Sequence, residues 1–477
     1  MAKQRNLLFS EERVAPATDD EGNEKVQSFG AYQINEKSWT RAENQVKTIH
    51  DSLPPHSVSG HLALSALYPE SKMGQQALAE GARLVGARGK PGHSAALALA
   101  FCPDAPMPLA DEDVAWIFAA ADRFPNRWLK GYHAESEEEV LALSPEEIDV
   151  GQALALAEGH DRSYTAKIDL IALHIAASLP ANPTPEETIV AINRTLFEEM
   201  HFRYPPQSES IAHIDDYSNL PSVLDSHRGV CLGTSLLYLA LGQRLGLDLE
   251  IITPPGHIFV RHGETNIETT CRGVHLYDNA YLNPNLKALQ TRTTKEAIGL
   301  VHINQASVFS QQKKWDEAIS CYHKAQKYLP DDDHTKELLA IHLILAGRNA
   351  EGKALLKPML NKQQPHLVCA DPLIADILHD SCDAQGLELL FSREEETRDV
   401  TRQQIETLST YLATHPSFQS GHLLLASLYA SLHRPAETFQ TLETSHSLNP
   451  HNPLVCMQLA SLALNRQNLP KAWRYFS

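Results

Sequence analysis

The sequence predicts a mainly helical chain of several domains with one α+β core set among the helices. Three observations predict it. Apolar residues recur at helical spacing over most of the 477 residues. One stretch, residues 249–270, carries short strand patterns separated by turn residues. From residue 299 onward the chain repeats with the period of stacked helical hairpins.

Residues 1–50 are polar, with Asp19-Asp20-Glu21-Gly22-Asn23 in a row, and read as a flexible tail. Residues 51–160 read as a helical N-terminal region without visible chemistry. Leu62, Leu64, Leu67, Ala77, Leu78, Ala82, Leu84 and Val85 recur mostly at helical spacing until Pro103, Pro106 and Pro108 break the pattern. Asp111 then caps a helix through Val114, Ile117, Phe118 and Ala121. Ser136-Glu137-Glu138-Glu139 and Ser144-Pro145-Glu146-Glu147 read as two further helix starts.

Residues 161–294 form the core. One helix runs through Ile168, Leu170, Ile171, Leu173 and Ile175. A second starts near Thr184-Pro185-Glu186-Glu187 and carries Ile189, Ile192, Leu196 and Met200. After a polar loop comes a helix opened by Cys231, apolar nearly all round and therefore buried on most faces, with Gly246 as its stop. Strands are expected over Leu249–Thr253 and Ile258–Arg261, flanking Pro254-Pro255-Gly256. His262-Gly263-Glu264-Thr265 then turns the chain into Asn266–Thr270.

Residues 295–477 read as an α-solenoid of tetratricopeptide-type repeats, in which small residues and an aromatic recur where two helices pack closely. With Gly299 as the first position, Ala306, Phe309, Ala318, Tyr322, Ala325 and Pro330 fall in register. A second clear unit starts at Gln419, with Ala426, Tyr429, Leu442 and Pro450. A third, incomplete one starts at Pro453, with Ala460, Ala472 and Phe476. Residues 333–360 read as a degenerate unit around Ala340, Leu343 and Gly352. Such an array is expected to bind a protein or peptide in its groove and to fold as a separable unit.

The chemistry is concentrated between Arg228 and Thr270. Cys231 stands where a helix N-terminus offers positive dipole and unpaired N–H groups, which favour a thiolate and a developing oxyanion. His257 follows Pro255-Gly256 at a strand start and is the candidate base. The third member is chosen by parity. If Gly263-Glu264 is a two-residue turn, His262 pairs with Thr265, and Asn266, Glu268 and Thr270 share the face of His257. Glu268 is then the candidate acid, with Asn266 as the rival orienter. A three-residue turn would instead put Ile267, Thr269 and Cys271 on that face.

The run RGVCLGTSLLYLALGQRLGLDLEIITPPGHIFVRHGETNIETT resembles the core of the transglutaminase-like superfamily, and within it the bacterial branch typified by the SirB family, which often carries tetratricopeptide repeats behind the core. The resemblance rests on Arg228-Gly229, on the helix with Leu236, Tyr238, Leu239 and Leu245-Gly246-Leu247, and on Pro255-Gly256-His257 and Val260-Arg261. It covers residues 165–285. It implies a papain/transglutaminase-like core with Cys231 as nucleophile and His257 as base. Where many such sequences have aspartate in an Ile-Asp-Pro context, this chain has Asn266-Ile267-Glu268. Many members of the branch lack the cysteine, and this chain has it. The expected activity is a cysteine hydrolase or acyltransferase acting on peptide or amide bonds. The rival expectation is a non-catalytic scaffold built on the same core. Cys231 turned away from His257 would favour the scaffold.

Charge and cysteine usage narrow the rest. With 41 basic and 59 acidic residues the net charge is −18, and no basic cluster stands out, which speaks against nucleic acid as the partner. No apolar run is long enough for a membrane helix, and the start lacks a signal-peptide core. Seven cysteines without Cys-x-x-Cys spacing fit a reducing cytoplasm. His201, His213, Asp215 and Asp216 lack ligand spacing, so neither a metal nor an organic cofactor is expected. Arg228 and Arg261 could hold a substrate carboxylate, though single arginines are more often surface ion pairs. Asn219 is read as a loop buttress.

Overall fold

A computed structural model describes residues 111–160, 162–205, 217–282, 288–360, 362, 367–392 and 397–476, together with parts of 46–80. The expectations for residues 1–45, for Leu62, Leu67, Leu78, Ala82, Leu84 and Val85, and for Pro103, Pro106 and Pro108 lie outside those residues. Within 46–80, Val46, Leu64 and Ala77 bury one another in a small cluster.

The architecture is mainly helical with a small sheet. Helix α1 (Asp111–Ala120) is followed by α2 (Glu137–Ala142) and α3 (Val150–Ala157). Ser136 caps α2 by accepting the N–H of Glu139. Ser144 and Glu147 do form a capping box, but the helix they open stops after one 3₁₀ turn, Pro145–Glu147. Ile148 is extended there, and Asp149 restarts the chain as the cap of α3, accepting from Gln152 N at 2.7 Å. The start expected at Ser144 therefore belongs to a single turn.

Helices α4 (Arg162–Ser178) and α5 (Pro185–Asn193) follow, the second opened by the Thr184/Glu187 capping box. A π-helical stretch, Arg194–Glu199, extends α5. Then come α6 (Leu220–Ser226) and α7 (Cys231–Leu245). Apolar on nearly every face, α7 is buried along most of its length, and Gly246 ends it at φ +74°.

Four short strands lie beside α7: β1 (Glu250–Thr253), β2 (Phe259–His262), β3 (Thr265–Ile267) and β4 (Gln290–Arg292). Their order is β3-β2-β1-β4, all antiparallel. His262 pairs with Thr265 around the two-residue turn Gly263-Glu264. The strand expected to reach Thr270 stops at Ile267. Glu268 accepts the Thr270 N–H with its own carboxylate and starts a 3₁₀ turn, Thr269–Cys271, which takes that donor out of the ladder.

The second half is a run of antiparallel helical hairpins. They are α8 (Thr294–Gln311) with α9 (Trp315–Tyr328), α10 (Asp333–Leu345) with α11 (Asn349–Leu356), then α12 (Leu373–Leu378), α13 (Ala384–Phe391) and α14 (Arg398–Thr414). The last hairpins pair α15 (Gln419–Ser431) with α16 (Pro435–Leu448), and α17 (Pro453–Asn465) with α18 (Leu469–Phe476). The repeat residues Ala306, Ala318, Tyr322, Ala325, Ala340, Ala426, Ala460 and Ala472 are all buried between helices. At Gly352 a Cβ would come within 2.6 Å of the Ala340 carbonyl, so the α10–α11 approach requires glycine.

One hydrophobic core runs from Ala121 to Leu329, crossing both the 160/161 and the 294/295 boundaries. Ala297, Ile298, Val301, Tyr328 and Leu329 of the first hairpin are part of it. Polar contacts follow the same path. Glu137 meets His302 Nε2 at 2.6 Å and the Tyr328 hydroxyl at 3.2 Å, and Lys295 Nζ donates to Leu141 O at 2.6 Å. On the other side of the core a buried ion network joins distant segments. Arg244, at the end of α7, donates to Asp169 at 2.6 Å and lies 3.6 Å from Asp149. Arg127 donates to Asp169 at 2.7 Å, with its guanidinium over the rings of Phe118 and Tyr132.

Candidate active site

Three short segments converge at the N-terminus of α7. Val230, its N-cap, contributes no side-chain hydrogen bond, and the first backbone bond of the helix runs from Thr234 N to Val230 O at 3.0 Å. The N–H groups of Cys231, Leu232 and Gly233 therefore have no acceptor within the helix. The approach to the helix is tight: a Cβ at Gly229 would lie 2.3 Å from Thr234 Oγ1, and one at Gly233 would lie 2.8 Å from Tyr217 O. Glycine is required at both positions for α7 to pack there.

Cys231 is a half-buried free thiol that acts electrostatically on His257. The histidine is held by the turn before β2, where its N–H donates to Pro254 O at 3.0 Å and Gly256 takes φ +71°. Its Nε2 meets Glu268 Oε2 at 2.6 Å, which leaves Nδ1 for the thiol. Glu268 is 2% exposed and fully engaged. Oε1 accepts from Thr270 N at 3.1 Å and from Thr270 Oγ1 at 2.6 Å, while Oε2 also accepts from Tyr281 Oη at 2.8 Å. The Tyr281 ring stacks on Phe259 at 4.3 Å and on His257 at 5.8 Å. One turn along α7 from Cys231, Ser235 Oγ donates to Ile258 O at 3.3 Å and lies 2.9 Å from Thr269 Oγ1, pinning the helix to the hairpin.

The electrostatics follow from burial opposed by partners. Burial works against the charged form of His257, yet the adjoining Cys231 and Glu268 more than offset it and push the imidazole up to about 10. Burial would raise Glu268, but His257, Thr270 and Tyr281 hold it below the usual carboxylate value. Tyr281 is raised, first by burial and then by the Glu268 charge.

The structure thus brings Cys231, His257 and Glu268 together. Asn266 is engaged elsewhere: it accepts from Arg261 Nε at 2.6 Å and donates to Leu276 O at 2.7 Å and Asp278 at 2.8 Å. Arg261 also pairs with Asp278, at 2.5 Å, so it is committed to the loop after β3. Asn219 caps α6, accepting from Ser222 N at 2.8 Å. His201 is half-buried with φ +57°, and His213, Asp215 and Asp216 lie outside the described residues. Among the described residues no group of three or more His, Cys, Asp or Glu is placed to hold a metal. Nor is any described helix long and apolar enough to cross a membrane. Sequence reasoning missed Tyr281, Thr270 and Ser235 as supports of the triad. Thr270 carried a signal in sharing the expected face of Glu268, and Ser235 in standing one helical turn from Cys231.

Residues 162–298 match the transglutaminase-like superfamily. No curated protein matches the chain. Among solved structures, a tetratricopeptide protein of Thermus thermophilus is 17% identical over 37% of this chain and 88% of its own, with a TM-score of 0.18. MamA of Desulfovibrio magneticus is 12% identical over 37% of this chain and 90% of its own, also with a TM-score of 0.18. A human IFIT1 dimer with PPP-AAAA is 13% identical over 93% of this chain and 72% of its own, with a TM-score of 0.20. Cys231, His257 and Glu268 all fall inside the segment that is similar to the transglutaminase-like superfamily.

Proposed function

We propose that Cys231, His257 and Glu268 are the nucleophile, base and orienting acid of a cysteine hydrolase or acyltransferase acting on peptide or amide bonds. The observation that carries this reading is the 2.6 Å contact between His257 Nε2 and Glu268 Oε2, which leaves the other ring nitrogen of His257 for the thiol at the start of α7. A nucleophile–base–acid relay needs that order of contacts.

The thiolate attacks the carbonyl carbon, and the N–H groups of the first turn of α7 receive the oxyanion. Collapse of that intermediate breaks the C–N bond, and His257 Nδ1 gives its proton to the leaving amine. Water or a second amine then attacks the thioester. His257 takes the incoming proton, and the thiolate leaves. The hairpin array supports recruitment of a protein partner in its groove. The SirB-type branch and a cytoplasmic setting belong to this same reading.

The test is iodoacetamide labelling of the whole protein at mildly acidic pH, followed by peptide mapping. Cys231 should be alkylated ahead of the other cysteines. Labelling of Cys231 at or below the rate of the others would leave the core as a scaffold. A thiol-directed peptide electrophile should then be captured by the parent protein and not by Cys231→Ala.

A further inference from the structure

Glu268 stands beyond the ladder, because β3 ends at Ile267, and its main chain is anchored by the loop that follows. Glu268 N donates to Val274 O at 3.0 Å, and the two residues form an isolated antiparallel bridge. Glu268 O accepts Gly273 N at 2.9 Å and Cys271 N at 3.1 Å. Both backbone groups of the candidate acid therefore depend on where residues 271–274 stand.

That loop is tied to a separate element. Asn193, the last residue of α5, donates from Nδ2 to Gly273 O at 3.3 Å. The approach dictates the residue: a Cβ at Gly273 would lie 2.1 Å from Asn193 Oδ1, and the φ of +76° favours glycine as well. Asn193 Oδ1 in turn accepts Tyr238 Oη at 3.0 Å. Tyr238 is fully buried in α7, seven residues after Cys231 and so close to two turns along the same side of that helix. Its hydroxyl also lies 3.4 Å from Ile189 O of α5. A carboxamide offers an acceptor to the hydroxyl and a donor to the carbonyl at once, which neither alanine nor aspartate can do.

We infer that Asn193 is a positioning residue for the proposed triad, bridging the helix that carries Cys231 to the loop that holds the backbone of Glu268. It touches neither the thiol nor the imidazole and acts through Gly273. The contact it protects, 2.6 Å between His257 and Glu268, is one that a small backbone displacement weakens steeply. The inference rests on the triad reading, and its own content is that the acid is held from α5 as well as from its own hairpin.

The test measures iodoacetamide labelling of Cys231 in the full-length chain by peptide mapping, at about pH 6 and about pH 10. At the higher pH the thiol ionises without help. The ratio of the two rates therefore reports on the imidazolium and cancels changes in access to the sulfur. Glu268→Gln should lower the ratio about tenfold or more. Asn193→Ala should lower it roughly threefold, the equivalent of about half a pKa unit. Tyr238→Phe keeps the ring and removes one hydroxyl; it should lower the ratio by less, and it decides the matter if Asn193→Ala does not fold. Asn193→Ala/Glu268→Gln should match Glu268→Gln alone, because no carboxylate is left to place. If Glu268→Gln lowers the ratio while Asn193→Ala and Tyr238→Phe leave it at the parental value, the positioning role is overturned and the triad stands. A further fall in the double variant overturns the role as well, since Asn193 would then act by another route. A ratio unmoved by Glu268→Gln itself refutes the triad reading, and this inference falls with it.

Discussion

Glu268 lies one residue past the end of β3 and His257 two residues before the start of β2, and the two side chains meet at 2.6 Å. The ladder pairs Val260 with Ile267 and His262 with Thr265, which sets Phe259 opposite Glu268. His257, Phe259 and Glu268 therefore share one face. Phe259 stands between the histidine and the sheet and provides the surface on which Tyr281 stacks.

Glu268→Gln should leave the circular dichroism spectrum unchanged and slow iodoacetamide labelling of Cys231 by about tenfold or more, because the imidazole loses its ionic partner. Asn266→Ala should label at the parental rate, since Asn266 serves Arg261 and Asp278. If the asparagine variant is the slow one, Glu268 is not the orienting group.

Tyr281→Phe keeps the stacked ring and removes one donor from Glu268 Oε2. A loss of a few-fold in labelling rate is expected. Tyr281→Ala, which removes the ring as well, should cost more. Equal rates for the two variants would mean that stacking contributes nothing.

The pH dependence of stability has a definite sign. The folded value of His257, about 10, lies above its ordinary value of 6.5. The stabilisation from the charged ring is complete below 6.5 and is lost as pH rises through 10. Glu158 acts in the same direction at lower pH. Burial pushes its carboxyl from 4.5 to about 8, so the stability of its neutral form is lost as pH rises through 8. The His257 contribution is therefore the difference in melting temperature between the parent and His257→Asn. That difference should shrink from pH 7 toward pH 10. A constant difference would contradict it.

Arg244→Leu should destabilise the protein by about 3–5 kcal/mol in urea titration, because it leaves Asp169 and Asp149 to the single guanidinium of Arg127 in a dry interior. Asp169→Ala should cost a similar amount by stranding Arg244 and Arg127. A loss below about 1 kcal/mol for both would mean that the network is not desolvated.

A fragment spanning 111–329 should unfold in one cooperative step, whereas 162–298 should fail to fold. The shorter piece lacks Asn126, Arg127 and Asp149 and removes α3, which packs against α4 and α7. A fragment beginning at 295 exposes Ala297, Ile298 and Val301 and should aggregate. Cooperative folding of 162–298 would refute the shared core.

Much of the site could be read in the sequence because it is local. Cys231, His257 and Glu268 lie within one helix and one hairpin, and the two-residue turn at Gly263-Glu264 sets their parity. Tyr281 could not be read, because it arrives from a loop after the last hairpin strand and bears no periodic relation to Glu268. The strand Gln290–Arg292 shows no alternation and pairs with β1 at long range. Arg244 stands in the last turn of a helix, where cations are common; its burial depends on Asp149 and Asp169 from outside that helix. Between 357 and 418 the short helices α12 and α13 and the longer α14 depart from the repeat, and their packing follows no periodic pattern.

The shared core has a consequence for how a captured partner would meet the thiol. Tyr328, Ile298 and Tyr238 are set in the same packed interior, so no swivel separates the first hairpin from the helix that carries Cys231. A ligand gripped by that hairpin is presented at one distance and one angle. Its effective concentration at the sulfur is then set by rigid geometry and not by the length of a tether, and it falls to nothing for partners of the wrong reach. The array would act as a ruler.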